Sequence, residues 1–256
     1  MDYNYHTHTF RCGHASGTEE AYIQRAIEGG IIHMGFSDHA PFIFPDGHDS
    51  GFRIPVDQVA DYFTTISALR NKYKDQITIH IGFEMEYYPE YFDQMLQNAR
   101  DYGAEYLILG QHFIYNEHPN GFSSNTPNDD PVKLKEYVSN IISAMQSGAF
   151  TYIAHPDMFH FIGDKTVYQK EMQQLCAASK KYNIPLEINF LGIRTQRHYP
   201  TPLFWEIAAQ EQCPVTFGFD AHDALNAYDG ESLLAARKMV EDLGLNYIGK
   251  PELKKI

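Results

Sequence analysis

The chain has 256 residues, 43% of them hydrophobic and 14% aromatic, so it can bury a large core, and its length suits one α/β barrel. Its 20 Lys and Arg face 33 Asp and Glu, and a formal charge of -13 argues against a resting partnership with phosphate-coated nucleic acid. No run of about 18 apolar residues can cross a membrane and no basic-then-apolar leader opens the chain. Cys12, Cys176 and Cys213 lack CxxC spacing, so they read as free thiols of a cytoplasmic protein.

In chain order, short apolar runs alternate with segments of helical period, the pattern of parallel strands joined by crossover helices. A strand at 3–6 precedes a helix at 18–29, with Thr18 fit to cap it. A strand at 31–37 leads through a turn-rich loop, 41–54, to a helix at 55–73. There Pro55 can open the helix, and Val56, Val59, Phe63, Ile66, Leu69 and Tyr73 form one stripe. Strand 77–84, helix 90–102 and strand 106–111 follow, then a second long aromatic loop, 115–130, and a helix at 132–147 that Asp130 can cap. The remainder reads as strand 151–155, helix 167–182, strand 185–189, helix 202–210, strand 214–220 and helix 231–243. No composition break, repeat or linker divides the chain, so residues 1–256 read as a single domain.

Nine residues able to bind a divalent metal fall at the ends of these strands. His6 and His8 close the first strand, His39 follows the second, and Glu84 ends the third. His112 follows the fourth, His155 ends the fifth, and Asp220 with His222 end the seventh; His14 sits in the first loop. In a barrel of parallel strands all the carboxyl ends open on one face, so residues far apart in sequence converge there. Imidazole and carboxylate donors suit zinc, with manganese or iron as alternatives, whereas magnesium takes more oxygen. Each residue alone has a plainer explanation: Glu86 could replace Glu84 if the register shifts, Asp220 could cap a turn, and His155 could be an ordinary strand end before Pro156. It is their conjunction at one predicted face that argues for a multinuclear metallohydrolase.

His6-Thr7-His8, Cys12-Gly13-His14, Ser37-Asp38-His39, Gly82-Phe83-Glu84, Gly110-Gln111-His112, Ala154-His155-Pro156 and Asp220-Ala221-His222 resemble, in order, the motifs of the polymerase and histidinol phosphatase (PHP) superfamily. Length and the Ser-Asp-His-Ala-Pro segment are most similar to its stand-alone histidinol-phosphate phosphatases. The resemblance implies a distorted seven-stranded (β/α) barrel holding three divalent ions. By that pattern His6, His8, Glu84 and Asp220 take the first ion. Glu84 bridges to a second ion held also by His112 and His155, while His14, His39 and His222 hold the third.

The implied reaction is hydrolysis of L-histidinol phosphate in histidine biosynthesis, by in-line attack of a metal-activated hydroxide. The catalytic burden would fall on Glu84, Asp220 and His222. The departing alkoxide needs a proton, for which Asp157, His160, Asp223, Asp220 and His222 are the candidates. Arg197, Arg194 and His160 are the candidate phosphate contacts. Phe42, Phe44, Tyr115 or Phe190 could wall the leaving group, and Asp157 or Glu117 could meet its ammonium. The expected partner is thus a small phosphomonoester, with neither nucleic acid nor membrane involved. Two alternatives stand beside this reading: a phosphatase for a nucleotide or sugar phosphate, and an amidohydrolase, which would require a bridging carboxylated Lys. A non-enzymatic metal-binding module of the kind attached to polymerases would have been favoured by a broken ligand set.

Overall fold

The computed structural model describes residues 1–256. Every strand pairing between named strands is parallel, as the alternating pattern predicts. The first sheet orders β1 (Tyr3–Asn4), β2 (His33–His39), β3 (Thr78–Met85) and β4 (Leu107–Leu109); the second orders β5 (Leu186–Asn189), β6 (Pro214–Gly218) and β7 (Asn246–Tyr247). The expected seventh strand is β6, and β7 is an addition too short and too polar to be legible in the sequence.

The expected continuous seven-stranded sheet is therefore resolved into four strands plus three. The segment expected as the fifth strand, 151–155, is reduced to single bridges, with Ile153 paired in parallel to Leu109 on one side and Leu186 on the other. Its backbone leaves the extended region at once, since His155 adopts a positive φ of 31° just before Pro156. A further parallel bridge joins Thr7, beyond β1, to Ala221, beyond β6.

Helices cover the outer face. They are α1 (Glu19–Glu28), α2 (Val59–Tyr73), α3 (Phe92–Tyr102), α4 (Pro131–Ser147), α5 (Lys165–Tyr182), the short α6 (Phe190–Arg194), α7 (Pro202–Glu211) and α8 (Gly230–Leu243). The predicted caps form: Thr18 accepts from Ala21 N, and Asp130 accepts from Val132 N ahead of Pro131. At the start of the 55–73 stripe, Val56–Gln58 is a 3-10 turn before the α-helix proper. The sequence pattern did not mark α6, which opens on Asn189, whose side chain accepts from Gly192 N.

Two apolar bodies hold the fold. The larger packs the helices against the outer strand faces, with Phe36, Ile66, Phe83, Ile141, Leu175 and Trp205 buried in it. A smaller one fills the inner face of the curled strands with Tyr3, Tyr5, Tyr106, Ile108, Tyr152 and Ala154. Side chains at the carboxyl ends of the same strands stand above this inner plug.

Candidate metal centre

The β2 to β3 register sets His39 directly beside Glu84, and the other seven expected donors gather around that pair. His6 Nε2 lies 3.6 Å and His8 Nε2 3.5 Å from Glu84 Oε2, which also faces His39 Nδ1 at 3.3 Å. The other oxygen, Oε1, faces His155 Nε2 at 3.0 Å and His112 Nε2 at 3.6 Å. Asp220 Oδ1 stands 3.6 Å from His6, 3.4 Å from His8 and 3.2 Å from His222 Nδ1. His222 Nε2 in turn meets His14 Nε2 at 3.1 Å. Two donors bound at about 2.1 Å to one ion, at angles of 90–109°, lie roughly 3.0–3.4 Å apart. These separations therefore suit metal ligands.

Buried polar atoms normally find partners. Here His6 Nε2, His8 Nε2, His39 Nδ1, His155 Nδ1 and Asp220 Oδ1 are buried with none. Meanwhile the far side of several rings is firmly held. His6 Nδ1 donates to Glu187 Oε1 at 2.8 Å, His112 Nδ1 to Glu86 Oε1 at 2.7 Å, and His14 Nδ1 to the Cys12 carbonyl at 2.8 Å. A proton kept on Nδ1 leaves the Nε2 lone pair facing the cluster, as an imidazole ligand requires. The donor set thus fits divalent cations, and three groups, His6/His8/Glu84, His39/Glu84/His112 and His14/His39/His222, each bring their donor atoms close enough to share one ion.

The backbone is bent to serve this arrangement. His155 and Asp220 both have positive φ, 31° and 47°, a conformation costly to non-glycine residues and concentrated at functional sites. Nearby groups hold them there: Glu187 Oε2 accepts from His155 N at 3.1 Å, and Asn189 Nδ2 donates to Asp220 Oδ2 at 3.0 Å. Gly110 makes room for the bridging carboxylate, because a Cβ there would lie 1.9 Å from Glu84 Oε1.

Proton demand in the cluster is split. Burial works to raise Glu84, but His112 and His6 outweigh it and hold the carboxyl well below its usual range. Burial likewise opposes ionisation of Asp220, and His6 and His222 override it. Burial and the nearby His8 push His39 well down, and the same two causes take His222 down to about 4. Both carboxylates, His39 and His222 are thus in the protonation states that bind metal. Burial also works to lower His6, His112 and His8, but the surrounding carboxylates override it, raising the first two and taking His8 up to about 9, so ligation there would displace protons.

The donors border a cavity of about 380 Å³, a size suited to a small ligand. Arg197 lines it and donates to Tyr199 Oη at 2.9 Å. Arg194 does not reach it: its guanidinium is spent on the carbonyls of Phe219, at 2.5 Å, and Asp220. His160 stacks on His198, ring centroids 4.0 Å apart, in a neighbouring groove. Phe42, Phe44 and Phe190 belong to the core, and Tyr115 is half exposed outside the cavity lining. Asp157 is buried, accepts from Thr201 N at 2.5 Å and is pushed up to about 7 by burial. Asp223 caps the turn at Ala224 and bonds Ser16, while Glu117 is tied to Arg53. The apolar wall is instead Phe52, Phe113, Met158 and Leu191, with Ser123 and Asn125 as its uncharged polar members. Sequence reasoning gave no role to Glu187 or Asp38 and weighed Glu86 only as a substitute for Glu84, not as the carboxylate behind His112; Glu187 had a signal, being a charge inside the apolar run of β5.

The PHP domain profile matches residues 4–190. The chain belongs to the PHP domain family. Among the relatives of this PHP chain, a probable histidinol-phosphatase of Deinococcus radiodurans is 26% identical over 249 residues, covering 93% of this chain and 92% of the relative. The histidinol-phosphatase of Bacillus subtilis is 25% identical over 253 residues, with 86% and 92% covered. The crystal structure of histidinol phosphate phosphatase from Lactococcus lactis, complexed with zinc, L-histidinol and phosphate, superposes with a TM-score of 0.71 at 19% identity, covering 96% of this chain and 95% of that one. No helix of the PHP chain is long and apolar enough to cross a membrane.

Proposed function

We propose that this PHP chain is a metal-dependent phosphomonoesterase that hydrolyses L-histidinol phosphate to L-histidinol and phosphate. One observation carries the metal-dependent part: the two oxygens of Glu84 each face their own set of imidazole nitrogens, in a cluster where His6 Nε2, His8 Nε2, His39 Nδ1 and Asp220 Oδ1 are buried without a hydrogen-bond partner. That supports Glu84 as a bridge between one ion on His6, His8 and Asp220 and another on His112 and His155, with His14, His39 and His222 around a third. Zinc is the ion we assign, on the imidazole-rich donor set and on its presence in the Lactococcus structure. The choice of L-histidinol phosphate rests on the two curated relatives and on the molecules bound in that structure.

Bound divalent ions supply positive charge for a phosphate dianion and lower the pKa of coordinated water towards about 7. The chain's own side chains do the rest. Arg197, held in the cavity by Tyr199, can fork onto two phosphate oxygens. His222 Nδ1, 3.2 Å from Asp220 Oδ1, forms with it an unprotonated pair able to take the proton of the attacking water and return it to the departing alkoxide. Phe52 and Phe113 give a flat leaving group an apolar wall and exclude water on that side. No lysine lines the cavity, which counts against an amidohydrolase built around a carboxylated Lys.

In the same reading, the bridges at Ile153 and between Thr7 and Ala221 join the two sheets into one distorted seven-stranded barrel, and residues 1–256 form a single domain. Its three buried free cysteines suit the cytoplasm. A phosphate-release screen over biological monoesters tests the substrate assignment. L-Histidinol phosphate should lead nucleotide and sugar phosphates by about a hundredfold in kcat/KM; faster turnover of one of those would replace it as substrate.

A further inference from the structure

Arg53 is the most deeply buried arginine or lysine of the chain, 1% exposed, and lies outside the donor cluster. Burying a guanidinium costs several kcal/mol unless every face is matched. Here Nη2 donates to Glu86 Oε2 at 2.5 Å and to Glu117 Oε2 at 2.6 Å, Nε donates to Glu117 Oε1 at 2.9 Å, and Nη1 donates to the Ala40 carbonyl at 2.8 Å. An apolar side chain would fill that volume at less cost, so the partners are what set this residue apart.

Each partner leads somewhere different. Glu86 is the carboxylate that orients His112 through Nδ1. Glu117 lies in the loop after β4, where Ser50 and Tyr88 also donate to it. Ala40 immediately follows His39. Arg53 itself follows Phe52, whose ring meets His39 edge-on at 5.2 Å, His112 at 6.2 Å and Phe113 at 5.9 Å. Both long loops, 41–54 and 115–130, therefore end on one guanidinium, which touches the group that aims a metal-facing imidazole.

We propose that Arg53 is a positioning residue that fixes the apolar wall of the cavity and the aim of His112 as one unit, so that leaving-group recognition and metal retention at His112 are set together. The proposal rests on the metallophosphatase reading above. A lysine cannot reproduce the fork, because its single ammonium cannot reach Glu86, Glu117 and the Ala40 carbonyl in one plane.

Three variants of the full chain test it, each measured for folding by circular dichroism, for metal content by mass spectrometry after gel filtration, and for KM and kcat on L-histidinol phosphate and p-nitrophenyl phosphate. Glu86→Gln should lose about one metal equivalent. Glu117→Gln, which leaves Glu86 on His112, should keep its metal and raise KM for L-histidinol phosphate about tenfold, more than for p-nitrophenyl phosphate. Arg53→Lys should do both. A folded Arg53→Lys with wild-type metal content and kinetics overturns the proposal, as do equal losses on both substrates with metal retained. If Arg53→Lys does not fold, the split between the two glutamate variants decides. If the wild type does not turn over L-histidinol phosphate, the substrate assignment has failed, while the metal contents of Glu86→Gln and Arg53→Lys still decide the role of Arg53.

Discussion

The two ends of the strands' inner face are built from similar flat rings and behave oppositely. At the amino ends, tyrosines pack and pair: Tyr3 Oη meets Thr216 Oγ1 at 2.8 Å, and Tyr106 Oη donates to the Tyr5 carbonyl at 2.9 Å. At the carboxyl ends, imidazoles crowd around two carboxylates and leave His6 Nε2, His8 Nε2, His39 Nδ1 and Asp220 Oδ1 buried and unpartnered. Tyr152 Oη is the one hydroxyl of the lower plug among the buried unpartnered atoms. A satisfied plug of rings stabilises a fold, whereas an unsatisfied cluster costs stability and persists where a ligand completes it. Conservative changes should therefore separate the ends, one losing stability and the other losing function.

The sharpest contrast is at Glu84. Glu84→Ala should reduce phosphate release by on the order of a thousandfold or more and lower metal content, while the far-ultraviolet circular dichroism stays native. Wild-type turnover in that variant would remove the bridge from the account. A matched pair of glycines comes next. Gly110→Ala should displace Glu84 and cut kcat by about a hundredfold. Gly35→Ala, whose Cβ would lie 2.1 Å from Tyr106 Oη in the lower plug, should lower stability by about 1–3 kcal/mol in urea unfolding and leave kcat of the folded fraction intact. Swapped outcomes would erase the distinction between the ends.

How much of this was legible in the sequence follows from what periodicity encodes. Strand and helix order came through because parallel strands buried on both faces read as apolar runs, and caps such as Thr18 and Asp130 act within a few residues. The gathering of the nine candidate side chains at one face was legible because strand ends converge in any parallel α/β array. The split of the sheet did not, since Ile153 keeps its pairing on both sides while His155 turns left-handed, and no local pattern announces that turn. The substrate wall was misassigned for a related reason. Phe42 and Phe52 look alike in sequence, and only the fold of the 41–54 loop decides that Phe42 enters the core and Phe52 the cavity. Arg194 and Arg197 likewise share a loop, yet α6 turns Arg194 onto backbone carbonyls.

Smaller effects belong to the lower end. Tyr106→Phe should cost about 1 kcal/mol, the price of one hydrogen bond to Tyr5, with kcat unchanged. Smallest is Glu105, at the base, where Arg70 Nη2 donates to it at 2.6 Å and His80 Nδ1 lies 3.1 Å away. Burial works to raise its carboxyl, but His80 and Arg70 outweigh it and lower the folded value below the unfolded one. Its contribution is therefore fully present above the unfolded value, about 4.3, and is lost as pH falls through the folded one. Because the pair is about one-third exposed, Glu105→Gln should cost under about 1 kcal/mol at pH 7 and less as pH falls towards 2. An undiminished cost at pH 2 would assign the effect to packing.

The most direct test of the metal cluster is phosphate release from L-histidinol phosphate by the same protein before chelation, after removal of the chelator and its metal, and after zinc is restored. The rate should fall to about a hundredth or less and return with zinc. A metal-free chain that turns over the ester at the original rate would contradict the account.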